Sequence, residues 1–390
     1  MLTQRLRLPY SAGLVAAGIA LAAIPFAPRV VVTKELIYTG LLPPLLFEAA
    51  YNIQWDKLRR NALVVGVLAT LGVILSAGVT ALGMHFFAHW EWMGALVFGA
   101  LIAATDPVSV IAIFREAEAR GRLLLLIEAE SLLNDGTASV AFAIVVALAT
   151  GQHITTGNAL FTLFKMIGGG VACGAVVGIV SLLLTGRTQD HLVEVTFTAV
   201  AAYGSFLLAD SFGMSGVLAT ITAGLVMRNL PRWEALSPRG KEAISNFWQY
   251  AAFIANSMVF LLIGTQQKDQ HFLAIWAPAL IAIGVVLAAR AIAVYSCGAL
   301  FHWSSLRVSG THKMALVWGG LRGALALALA LGLPQDLPLR EDIVTVSFGV
   351  VAFSIFVQGL TMRPFLRRIG EFPQKAASRP PHPAPGAIAD

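Results

Sequence analysis

Leu123-Leu124-Leu125-Leu126-Ile127-Glu128-Ala129-Glu130-Ser131-Leu132-Leu133-Asn134-Asp135-Gly136 opens a stretch that stays apolar to Thr150, long enough to cross a bilayer as a helix. It nevertheless carries Glu130, Ser131, Asn134 and Asp135 within about one and a half helical turns. Buried in hydrocarbon, such side chains are costly unless they pair with each other or face a water-filled cavity. On a helix Ser131 and Asp135 are i,i+4 neighbours, as are Glu130 and Asn134, so the four form two adjacent polar strips. One face of this helix is therefore a candidate ligand site. Glu128 is expected to point away from Glu130, near the cytoplasmic end, and is assigned no role.

Outward from this stretch the rest of the chain has the same character. Of 390 residues, 57% are hydrophobic and 12% charged, and the mean hydropathy is +0.76. These values exclude an ordinary soluble domain and identify an all-α polytopic membrane protein. Cys173 and Cys297 lie in apolar stretches with no Cys-x-x-Cys pattern, which offers neither a disulfide framework nor a zinc site. The net charge of +6 could indicate nucleic acid, but in a membrane protein it more commonly reflects basic residues retained on one side, so no nucleic-acid partner is expected.

Twelve spans are expected, at roughly 9–27, 36–53, 62–87, 93–114, 123–150, 159–184, 192–209, 213–227, 246–265, 272–297, 314–333 and 343–366. They form one membrane domain over residues 1–370, followed by a Pro- and Ala-rich disordered cytoplasmic tail at 371–390. With both termini cytoplasmic, the outer segments hold only Arg29, Lys34, Lys268 and Arg340. Most of the remaining basic residues cluster inside, including Arg228, Arg232, Arg239 and Lys241. Joining the seventh and eighth spans into one would move that cluster outside, so they are kept as two. The first apolar stretch lacks a small-residue cleavage site and does not read as a cleavable signal.

Two spans are interrupted. Thr105-Asp106-Pro107 breaks the fourth, where proline frees carbonyls one turn earlier, and Gly319-Gly320-Leu321-Arg322-Gly323 weakens the eleventh, with an arginine near mid-span. Such paired breaks suit an inverted-repeat transporter, whose half-helix ends and freed carbonyls surround the substrate. Counting spans 7–12 as one repeat and the sixth as a linker leaves five spans in the first half. Glu48, after Pro43-Pro44, is a further acid too deep to reach water easily.

Together, Leu45-Leu46-Phe47-Glu48-Ala49-Ala50, Ala104-Thr105-Asp106-Pro107-Val108, Glu130-Ser131-Leu132-Leu133-Asn134-Asp135-Gly136 and Trp318-Gly319-Gly320-Leu321-Arg322-Gly323-Ala324 resemble the sodium/proton exchangers of the monovalent cation:proton antiporter family. The motifs recur in order over nearly the whole chain. The family usually has thirteen spans, and Arg7-Leu8-Pro9-Tyr10 looks like the start of its second, so the first helix is expected to be absent. The resemblance implies that Asp135 carries cation and proton in turn, with Glu48, Ser131 and the Thr105 carbonyl completing the shell of the monovalent metal ion and Asn134 orienting it. It further implies electroneutral one-for-one exchange from the Asn-Asp pair, a structural ion pair of Glu130 with Arg322, and a homodimer in a bacterial inner membrane. No cofactor is expected beyond the transported sodium or lithium and the proton; the remaining partner is membrane lipid.

Elementary chemistry supports the same assignment. A carboxyl removed from water holds its proton more firmly while a bound cation opposes it, so the two compete. Carboxylate, hydroxyl and carbonyl oxygens can replace the water shell of a hard cation. Asp106 is open to two roles, capping a half-helix N-terminus or direct ligation. Lys165 and Arg290 are expected to snorkel, His85 and His89 to sit in an interfacial belt, and Gly170, Gly174 and Gly178 to allow close helix packing. The alternatives are a potassium/proton exchanger or cation channel of the same fold and, remotely, an intramembrane aspartyl protease using Asp106 and Asp135, although its Gly-x-Gly-Asp context is missing.

Overall fold

The computed structural model describes residues 10–24, 33–106, 110–111, 114, 121–151, 156–188, 190–230, 236–266 and 276–370. Each of the twelve expected stretches carries helix. They are α1 (Tyr10–Ala23), α2 (Leu42–Asn52, entered through a π-helical stretch Leu36–Leu41), α3 (Trp55–Ala88), α4 (Trp92–Ile102), α5 (Arg122–Ala149), α6 (Thr156–Thr185) and α7 (His191–Ser211). Then follow α8 (Gly216–Asn229), α9 (Pro238–Gln266), α10 (Trp276–Ala299), the two halves of the eleventh span α11 (Gly310–Trp318) and α12 (Ala324–Leu331), and α13 (Arg340–Arg368). No strand occurs among the described residues. Seven of these helices are long and apolar enough to cross a membrane by themselves. The tail at 371–390 and Pro107 lie outside the described residues.

Two helices start earlier than hydropathy alone indicates. α3 begins at Trp55 and α9 at Pro238, each with a charged foot (Asp56, Lys57, Arg59 and Arg60; Arg239, Lys241 and Glu242). Backbone hydrogen bonding continues past the apolar segment, and hydropathy does not register it.

The seventh and eighth spans are separate and return side by side. Gly213 turns with φ +64°, Ser215 caps α8 by accepting from Leu218 N at 3.2 Å, and Thr220 Oγ1 donates to Ala202 O across the pair at 3.2 Å. Gly170, Gly174 and Gly178 place α6 directly against Ser215, Ala219 and Ala223, leaving no room for a side chain at Gly174. His85 stacks on Trp92 with centroids 3.9 Å apart and its Nδ1 bonds Trp90 O at 2.7 Å. His89 occupies the left-handed cap of α3.

The interruptions of the fourth and eleventh spans meet. α4 ends at Ile102, residues 104–106 are irregular, and Val110 and Ile111 are helical. α11 ends at Trp318 and α12 starts at Ala324. Asp106 N donates to Leu321 O at 2.7 Å, joining one irregular segment to the other. Around this crossing lies a continuous buried core that includes Phe98, Leu101, Leu126 and Leu325.

Candidate functional site

The two breaks strand main-chain carbonyls inside the bundle, and two arginines meet them. Arg322, 1% exposed, donates from Nη1 to Ala103 O at 2.8 Å and Ala104 O at 2.9 Å, at the C-terminal end of α4. Arg290, from α10, donates to Leu316 O from Nε at 3.2 Å and Nη2 at 3.1 Å, in the last turn of α11. α4 and α11 thus each have a guanidinium at the negative end, where orphan carbonyls and the helix dipole favour one. Gln358, in a π-helical turn of α13, adds Nε2 to Trp318 O at 3.1 Å.

This arrangement corrects the expected ion pair. Glu130 pairs with Arg290, not Arg322: Nη1 meets Oε1 at 2.8 Å and Nη2 meets Oε2 at 2.9 Å. Arg290 consequently does not snorkel; it is 6% exposed. The physical reason is that Arg322 is occupied with the end of α4, whereas the fork of Arg290 serves a carboxylate and a carbonyl together. Gly320 permits this, because a Cβ there would lie 2.6 Å from Arg290 Nε.

Asn134 connects the ion pair to the break. Its Nδ2 donates to Glu130 Oε1 at 2.9 Å and Thr105 Oγ1 at 2.7 Å, and its Oδ1 accepts from Thr105 N at 3.2 Å. Ser131 Oγ donates to the Thr105 carbonyl. The irregular turn at Thr105 is therefore held by two residues of α5, one from each polar strip. Asp106 follows, with its carboxyl packed against Gly323 at the N-terminal end of α12; only glycine leaves it room.

A cavity of about 380 Å³ lies beside this crossing. Asp135, Ser131, Thr105, Asp106 and Glu48 all line it, so five of the expected site residues share one space. Asn134 and Glu130 lie behind the wall, buried at 0% and 1% exposure. The acids differ in what holds them. Glu48 Oε1 accepts from Asn52 Nδ2 at 2.7 Å, and Glu130 is ion-paired. Asp135 has no hydrogen bond or counter-charge among the described residues, and the other charged groups on the cavity wall, Glu48, Asp106 and Glu128, are acids. A half-buried carboxylate opening onto a cavity without a protein cation is arranged to receive one from solution.

Glu128 and Asn256 also line the cavity, along with Tyr10, Asn52 and Gln249. Glu128, expected to point elsewhere, shares the face of Ser131 and Asp135; its i, i+3, i+7 spacing with them carried that signal. Asn256, on α9, stands alone in an apolar stretch, and nothing in its sequence context marks it.

Residues 1–368 match the family model described as sodium/hydrogen exchanger, transmembrane. The chain is 40% identical to the Na(+)/H(+) antiporter ApNhaP of Aphanothece halophytica, over 96% of this chain and 72% of that protein. It is 38% identical to the Na(+)/H(+) antiporter NhaG of Bacillus atrophaeus, over 95% and 72%. In fold it is similar to the sodium proton antiporter MjNhaP1 from Methanocaldococcus jannaschii, with a TM-score of 0.75 at 20% identity, covering 96% of this chain and 95% of the other. The expected resemblance and inverted-repeat antiporter fold agree with these findings, and the protease alternative is not favoured. The crossing of two broken spans, the two buried arginines and the cavity-facing Asp135 thus belong to a polytopic membrane transporter, and this chain is a member of the sodium/hydrogen exchanger family.

Proposed function

We propose that the chain exchanges sodium for a proton by alternating access, with both competing for Asp135. The observation that carries this is the Asp135 carboxylate, which faces the cavity and has no partner among the described residues, while Glu130 five positions earlier is fully paired. A carboxylate so placed is neutral in two ways, holding a proton or holding a monovalent cation. Either neutral load can cross as the repeats rock, whereas the bare anion meets the desolvation cost of the closed intermediate. Export of one cation then returns one proton.

Ser131, Glu48 and the Thr105 carbonyl supply the remaining oxygens, Asn134 positions the Thr105 turn, and Asp106 adds negative charge from the N-terminal end of α12. The cavity extends from Asp135 toward Asn52 and the foot of α5, where Arg122 stands. With basic loops on the cytoplasmic side, this is the inward-facing state, both termini are cytoplasmic, and the protein is a homodimer in a bacterial inner membrane. Sodium is the principal cation and lithium a second.

The test is stoichiometric. Proteoliposomes containing the protein receive a sodium gradient, and internal pH is followed with the membrane potential clamped by potassium and valinomycin or left free. Equal rates under both conditions fit one-for-one exchange. A rate that follows the imposed potential removes it.

A further inference from the structure

Asn256 is 94% buried, at 6% exposure, yet its side-chain amide bonds to no protein group among the described residues. A buried amide left without partners is costly, and most find them. Asn256 is not sealed away, because it lines the same cavity as Asp135 and Thr105. Its partner is therefore whatever the cavity holds. Immediate neighbours on α9 do not compete for it: Ser257 Oγ donates to Phe253 O at 2.5 Å and also bonds the Tyr10 hydroxyl, and Ala252 and Phe253 are apolar parts of the wall.

The position of Asn256 in the repeat strengthens this. α9 precedes the broken eleventh span by two spans, as α2 precedes the broken fourth. α2 presents Glu48 to the cavity and α9 presents Asn256. Counterpart helices thus both place polar side chains on the wall, Glu48 and Asn52 from α2 and Gln249 and Asn256 from α9, with Glu48 the charged one. Asn256 sits ten residues before the end of α9, about 15 Å along the axis. Asp135 sits fourteen before the end of α5, about 21 Å along it, so both are mid-helix.

We propose that the Asn256 carbonyl oxygen is a cation ligand on the wall opposite α5, a specificity residue that replaces one water of the sodium shell while Asp135 supplies the charge. This rests on the exchange reading above. A neutral oxygen stabilises the cation-loaded carrier without affecting the protonated one, so its loss weakens sodium and leaves the proton untouched.

Sodium and proton dependence of exchange are measured in proteoliposomes for the wild type, Asn256→Leu, which keeps the volume and removes the oxygen, and Asn256→Asp, which keeps an oxygen in place. The expected result for Asn256→Leu is a sodium KM raised about tenfold or more, the size of a lost bond to a charged partner. Its maximal rate stays within about twofold, and its proton dependence is unchanged when read at the same multiple of the sodium KM. Asn256→Asp keeps a sodium KM within about threefold of wild type. Should Asn256→Leu not be recovered as folded protein, Asn256→Ala is judged by the same criteria. An unchanged sodium KM in an active Leu or Ala variant, or equal loss in sodium and proton dependence, overturns the assignment alone. Wild-type protein that moves no cation removes the exchange reading and this assignment with it.

Discussion

Replacing Arg290 by Met takes the guanidinium from between Glu130 and the end of α11 while keeping most of the side-chain volume. Glu130, 1% exposed, retains only the Asn134 amide as a partner among the described residues, and Leu316 O loses both of its side-chain bonds. Stranding one member of a buried ion pair costs about 3–5 kcal/mol. For 390 residues an unfolding entropy of about 2.1 cal/mol/K per residue amounts to about 0.8 kcal/mol/K, so the apparent Tm falls by about 4–6 °C. Adding Glu130→Gln removes the stranded charge and is predicted to restore at least half of that loss. The same glutamine in an Arg322→Met background restores nothing, because Arg322 serves the carbonyls of α4. The assay is size-exclusion chromatography of purified, detergent-solubilised protein after heating, for all four variants and the wild type. Rescue by Glu130→Gln beside Arg322→Met, with none beside Arg290→Met, would refute the pairing.

Three other outcomes are expected. Gly323→Ala places a Cβ against the Asp106 carboxyl, and a shift of about 1 Å at the site lowers exchange by up to about a hundredfold; exchange rates at wild-type level in folded protein contradict this. Because a bound cation favours the carboxylate, competition moves the pH profile in a fixed direction: above saturation, each tenfold rise in sodium shifts its midpoint about one unit toward acid. Initial rates over a pH and sodium grid check this, and a midpoint independent of sodium excludes a shared site. Gly174→Val forces α6 from Ala219 on α8 and reduces the yield of folded protein several-fold, while exchange per folded molecule is retained; wild-type yield would show the contact to be dispensable.

Much of this architecture is legible in the residues, because hydrocarbon leaves a helix few choices. The spans follow from apolar length, and the breaks from Thr105-Asp106 and the glycines around Arg322. The polar strips on α5 identify the cavity face because helical periodicity is local. What stays hidden depends on contacts distant in sequence. Glu130 and Arg290 lie 160 positions apart, and no spacing rule chooses Arg290 over Arg322; the choice follows from which half-helix end each arginine reaches. The role of Gly320 is hidden for the same reason, since it is defined by a side chain from another helix. Glu128 was within reach, since it shares a helix face with Asp135. Asn256 was not, because a lone amide in an apolar stretch looks the same whether it faces a neighbouring helix, lipid or a cavity.

The central claim, that one carboxylate serves cation and proton in turn, is tested most directly by Asp135→Asn beside the wild type in inside-acidic proteoliposomes. Both proteins are first matched for folded, inserted amount, and internal pH is followed on adding external sodium. The account predicts prompt sodium-dependent alkalinisation by the wild type and none by the variant. Alkalinisation at a comparable rate by the variant would contradict it.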